Sequence, residues 1–127
     1  MKHKALSRDS KPKVELKNRA YQYSIKIIEF FDTLPQDTSA QIIVQQLLRS
    51  ATSIGANIIE AQASSSKKEF TKFFGYALKS ANESLYWLGL LKDAKKISSE
   101  QLDYFLQETH ELANILGSSI LTLKGKR

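Results

Sequence analysis

The sequence predicts an all-α protein, an up-down-up-down antiparallel four-helix bundle, and three observations carry that expectation. Apolar residues recur at alternating spacings of three and four in four separate stretches. The links between the stretches are only about three to six residues long, which makes consecutive helices antiparallel neighbours. No stretch alternates with a period of two and no Asn-Gly turn occurs, so strands are not expected.

The first stripe is Leu16, Ala20, Tyr23, Ile27, Phe30 and Leu34, stopped by Pro35. The second, Val44, Leu47, Ala51, Ile54, Ile58 and Ala61, follows Thr38 and Gln41, which have the spacing of a capping box, and ends in the polar run 62–66. Ser66 and Glu69 form a second such box ahead of Phe70, Phe74, Ala77, Ala81, Ser84, Leu88 and Leu91. Ser98 and Gln101 offer a third, ahead of Leu102, Phe105, Thr109, Leu112, Leu116, Ser119 and Leu123. The organisation that results is a basic N-terminal tail (1–13), a bundle domain (14–124) and a basic C-terminal end (125–127).

With 127 residues, 42% of them hydrophobic and 25% charged, the chain is long enough for one core without disulfide or metal. Zero cysteine excludes thiol catalysis, zinc ribbons and iron–sulfur sites. No apolar run is long enough for a bilayer and residues 1–13 contain no hydrophobic signal core, so no membrane association and a cytoplasmic location are expected.

The net charge of +6 resides at the two ends. Residues 1–19 carry seven Lys or Arg against Asp9 and Glu15, the last four residues add three more cations, and residues 20–123 balance at −2. Folding the chain as an up-down bundle gathers both ends and the link before the third helix at one pole, which becomes a basic collar if copies assemble in a ring. Solvated tails that merely aid solubility remain the plain alternative.

Between residues 38 and 66 only Arg49 and Glu60 are charged, and between 73 and 91 only Lys79 and Glu83. A second, partly apolar file of Phe73, Tyr76, Ser80, Glu83, Trp87 and Leu90 runs beside the stripe of the third helix. Helices this apolar call for more cover than one copy supplies, which predicts self-association. Gly55, Gly75, Gly89 and Gly117 lie inside helices at a cost of roughly 1 kcal/mol each relative to alanine, pointing to close backbone approach within the bundle or between copies.

Arg49, Ser53, Asn57 and Glu60 share one arc of the second helix. Antiparallel pairing of the second and third helices places Arg49 level with Ser80 and Glu83, predicting an Arg49–Glu83 ion pair beside Tyr76, Tyr86 or Trp87, while Glu60 comes near Lys13 or Lys17. These six residues, Arg49, Ser53, Asn57, Glu60, Ser80 and Glu83, are expected to be buried and to fix register rather than do chemistry. Catalysis by Glu60 or Glu83 in a subunit crevice is the competing view. Gln107 stands where a di-iron bundle needs Glu three before His110, and no phosphate-binding glycine motif or zinc-protease motif occurs. No cofactor, no metal and no catalytic residue are expected.

The run Arg49-x-x-x-Ser53-Ile54-x-x-Asn57-x-x-Glu60, followed by Lys68-Glu69-Phe70 and by residues 77–88 with Glu83, Tyr86 and Trp87, resembles the bacterial four-helix-bundle family of 23S ribosomal RNA intervening-sequence proteins. The similarity spans about residues 15–123, and Ala61-Gln62 stands where many members have Glu-Gly. The resemblance implies a ring-shaped homopentamer without established enzymatic activity, and similarity to pentameric accessory proteins of diversity-generating retroelements, which associate with nucleic acid.

The function expected is therefore a non-enzymatic homo-oligomer whose basic pole binds RNA or DNA through Lys11, Lys13, Lys17, Arg19, Lys67, Lys68, Lys72, Lys124 and Arg127. The alternative is an adaptor that docks another protein on the aromatic file of the third helix.

Overall fold

The computed structural model describes residues 12–34 and 37–126, which contain four helices and no strand: α1 (Pro12–Phe31), α2 (Thr38–Gln62), α3 (Lys67–Asp93) and α4 (Ser99–Leu123). α2 packs most extensively on α3, then α3 on α4 and α1 on α2; of the neighbouring pairs, α1 and α4 have the sparsest backbone approach. As α1 rises from Arg19 through Lys26, its partners on α4 fall from Glu108 and Glu111 to Tyr104.

Each apolar stripe faces the common core. Leu16, Ala20, Tyr23, Ile27 and Phe30 of α1 are buried, as are all six stripe residues of α2. α3 buries Phe74, Ala77, Ala81, Ser84, Leu88 and Leu91, and α4 buries Leu102, Phe105, Thr109, Leu112 and Leu116. Phe105 and Tyr23 stand in a T-shaped arrangement at 6.1 Å, and Phe105 meets Phe30 at 5.1 Å between ring centres, tying α1 to α4. Two buried polar contacts interrupt this core: Ser50 Oγ lies 2.8 Å from Ser84 Oγ, and Tyr23 Oη lies 2.6 Å from Thr109 Oγ1. Among the described residues no buried side-chain nitrogen or oxygen lacks a partner.

Three local expectations are corrected. α1 ends at Phe31, so Leu34 leaves the helix; Thr33 N–H and Leu34 N–H bond to Phe30 and Phe31 carbonyls in tighter turns, and Thr33 Oγ1 also donates to the Phe30 carbonyl at 2.7 Å. A residue ahead of a proline is steered away from helical backbone, which brings the end forward. Thr38 is not the cap of α2: Asp37 occupies that position with extended backbone and without a side-chain cap. Ser98 caps α4 by backbone geometry alone, its hydroxyl unused by the helix. The box at Ser66 does close, with Ser66 Oγ accepting from Glu69 N–H at 3.0 Å, although Glu69 reaches back to the N–H of Ser65 rather than Ser66.

Another helix comes within van der Waals reach only at Gly55 among the helical glycines. A Cβ there would lie 3.5 Å from Cβ of Ala20, whereas at Gly75, Gly89 and Gly117 it would meet nothing within 4 Å. Because 3.5 Å is ordinary contact, Gly55→Ala is expected to stabilise by up to about 1 kcal/mol through helix propensity. Gly55→Leu, which must push α1 off α2, is expected to lower the melting temperature; equal midpoints for the two variants in thermal denaturation would contradict this packing.

Candidate nucleic-acid interface

The pole where α2 ends, α3 begins and α4 ends is built by two well-defined helix termini. The Ser66 cap starts α3 and sets Lys67, Lys68 and Lys72 on its first turns. At the end of α4, Gly125 adopts φ 71°, its N–H bonds to the Thr122 carbonyl, and Lys126 N–H reaches the Leu121 carbonyl at 2.9 Å. This left-handed cap terminates the helix with Lys124 facing α3. The same double bond closes α3, but there the left-handed residue is Lys95, with φ 55°.

Between α3 and α4 runs an open groove of about 890 Å³ lined by Lys67, Lys68, Lys72, Lys79 and Lys124, with no carboxylate in its lining. None of these five lysines forms an ion pair among the described residues. Cations in the first turn of a helix oppose its macrodipole, at about 0.3–1 kcal/mol each, so Lys67 and Lys68 stand where local helix energetics disfavour them. Beside it, a hollow of about 830 Å³ is lined by Ser64, Ser65, Ser66, Ser118, Ser119 and Thr122 and shares Lys67 and Leu123 with the groove. The result is a positive surface bordered by hydroxyl side chains, of which Ser64 and Thr122 already donate to the Ala61 and Ser118 carbonyls.

The structure thus brings Lys67, Lys68, Lys72 and Lys124 together and adds Lys79, which sequence reasoning passed over; its spacing of seven from Lys72 was the available signal. Lys17 is exposed on α1 and does not line this groove. Arg19 is corrected: its guanidinium bonds both oxygens of Glu108, at 2.7 and 2.8 Å, and also Glu111. Those bonds hold its proton more tightly than usual, and two carboxylates cancel its attraction for a phosphate. Hydrogen bonds from Gln107 and then Arg19 hold the Glu111 carboxyl below its ordinary range. Lys11 and Arg127, and the side chain of Lys13, lie outside the described residues.

One turn beyond Lys79 on α3, Arg49 Nη2 bonds Glu83, and Trp87 Nε1 donates to the same carboxylate oxygen at 2.9 Å. Gln46 accepts from Arg49 at 3.0 Å. Ser53 and Asn57 spend their donors on the carbonyls of Arg49 and Ser53, one turn back on their own helix. The expectation of burial is corrected for a single chain: side-chain exposure is 56% at Arg49 and 35% at Glu83, Glu60 is exposed, and Ser53, Asn57 and Ser80 are half-buried. The file points away from the α2 stripe, so only a neighbouring molecule would cover it. Glu60 makes no ion pair among the described residues.

Hydrogen bonding from Trp87, then from Arg49, holds the Glu83 carboxyl below its ordinary value. The pair therefore contributes fully above the normal carboxylate range and is lost as pH falls through the lowered value. An exposed pair of this kind is worth at most about 1 kcal/mol. Glu83→Gln is expected to lower the melting temperature by a few degrees at pH 7, and the gap should close once pH falls below the lowered Glu83 value; a gap that persists in acid unfolding would refute the assignment.

Among the described residues no helix is long and apolar enough to cross a membrane, and no group of three His, Asp or Glu is placed to hold a metal ion. No curated protein matches the chain. Among solved structures, it is similar to a protein of unknown function from the S23 ribosomal protein family of Bacteroides thetaiotaomicron VPI-5482. Sequence identity is 33%, the match covers 85% of this chain and 96% of that chain, and the TM-score is 0.79. The family model of the 23S rRNA-intervening sequence protein matches residues 12–118, from the first residue of α1 well into α4. With helices, signature file and fold in agreement over that span, the chain belongs to the 23S rRNA-intervening sequence protein family.

Proposed function

We propose that this chain is a non-enzymatic up-down-up-down bundle that assembles with copies of itself, as a ring-shaped homopentamer, and holds RNA or DNA by its phosphate backbone at the basic pole. The observation that carries this reading is the convergence of five lysines on one groove without a carboxylate to neutralise them. The family's name, which ties its members to intervening sequences of ribosomal RNA genes, supports it. Self-association is supported by Ile42, Ile59 and Tyr86, large side chains exposed on α2 and α3, and by Gly89 and Gly117, where an added Cβ would meet nothing within 4 Å.

A mobility-shift titration at about 50 and 200 mM salt tests the first part: binding that weakens steeply between the two supports it, and absent or salt-insensitive binding overturns it. Light scattering on a sizing column tests the second, where a 14.4 kDa species at high concentration overturns assembly. Partners captured from extract that survive nuclease treatment would favour an adaptor built on Phe73, Tyr76 and Trp87 instead.

A further inference from the structure

We propose that the notch over Gly75 receives an unstacked base, so that the occupant of the lysine groove is single-stranded nucleic acid rather than duplex. The proposal rests on the reading of the groove as a phosphate site and adds what lies between the charges. Gly75 lines the groove, and a Cβ placed there would meet nothing within 4 Å, so the missing side chain leaves a recess in the outer face of α3. Lys68, Lys72 and Lys79 stand seven and three residues before Gly75 and four after it, on the same side of the helix. Leu78 of α3 with Ile120 and Leu123 of α4 line the same groove and make the surface around the recess apolar.

A pure phosphate site has no use for an apolar recess: water in it bonds poorly, and phosphates held by lysines do not fill it. A duplex turns its phosphates outward and keeps its base faces stacked inside. A single strand offers both parts together, charge along the backbone and a flat apolar face on each unpaired base. Lysines spaced along roughly 16 Å of helix, from Lys68 to Lys79, hold the backbone on either side of that base. Ribose and deoxyribose strands share this chemistry.

The test is fluorescence anisotropy on the full chain with labelled mixed-sequence 12-mers, as single-stranded DNA, single-stranded RNA and the 12-base-pair duplexes of the same sequence, at fixed salt. Single strands are expected to bind about tenfold more tightly than duplex, the scale of burying one base face against apolar side chains. Gly75→Leu fills the recess without changing charge and is expected to bring the ratio close to one, with the mass by light scattering unaltered. Lys68→Gln is expected to weaken both forms and leave the ratio standing. Equal binding of single strand and duplex by the parent, an unchanged ratio in Gly75→Leu, or a ratio lost only together with the assembled mass would overturn base insertion alone. Binding of neither form would overturn the phosphate-groove reading beneath it. A ratio that holds in only one sugar series assigns the occupant to that series.

Discussion

Replacing Lys67, Lys68, Lys72 and Lys124 together by glutamine is expected to weaken nucleic-acid binding about a hundredfold at 50 mM salt. It should also reduce the slope of log affinity against log salt by about 3, since each phosphate contact contributes roughly 0.7 for single strands. Glutamine is one bond shorter than lysine and has nearly the same helix propensity, so the circular dichroism spectrum should not change. The four side chains line one groove, which is why a joint substitution is the informative one. Arg19→Gln is the control: its guanidinium is engaged by Glu108, only 16% exposed, and by Glu111, so this change should lower the melting temperature and leave the salt slope alone. A quadruple variant with an unaltered slope would remove the groove from any account of binding.

Thr109→Val is expected to destabilise the fold by about 1–3 kcal/mol, the cost of leaving a buried hydroxyl without a partner. Thr109 Oγ1 donates to the Phe105 carbonyl at 2.5 Å, so the 2.6 Å contact with Tyr23 is a hydrogen bond donated by the phenol. Valine keeps the shape and removes the acceptor. The double variant Tyr23→Phe/Thr109→Val should recover part of the loss, because neither group is then stranded; additive losses in denaturant titrations would refute the coupling. Burial pushes the Tyr23 phenol up to about 12. The fold favours its neutral form, so the stability it confers is complete below the ordinary tyrosine value near 10 and drains away as pH climbs from there towards 12. Tyr23→Phe should flatten that alkaline limb.

What could be read from residue order divides by the distance over which it acts. The stripes were readable because core burial repeats every three or four residues along one helix, and nearly every stripe residue is buried. The Arg49–Glu83 contact was readable because a short link between α2 and α3 leaves one register for the pair. Ser84 and Thr109 fell on apolar stripes, and that misplacement was the signal for the buried bonds to Ser50 and Tyr23. Arg19 was misjudged because counting charge by segment treats every cation near a terminus as free, whereas its partners lie 89 and 92 positions away on α4. The cap at Thr38 failed for a local reason, while the one at Ser66 held: the pattern of Thr38 with Gln41 fits one residue later than the backbone of Asp37 allows. The recess at Gly75 was unreadable, since periodicity reports side chains that pack and not room left vacant.

The sparse approach of α1 to α4 has a kinetic corollary. Long side chains bridge that seam, from Arg19, Tyr23 and Lys26 to Glu108, Thr109 and Tyr104, while α2, α3 and α4 lock together along their backbones. Bonds between side-chain tips break one at a time, so the seam between the first and fourth helices can open while the first stays packed on the second. Amide protons of α1 should then trade with deuterated solvent sooner than those of α3, making the seam the place where the molecule starts to come apart.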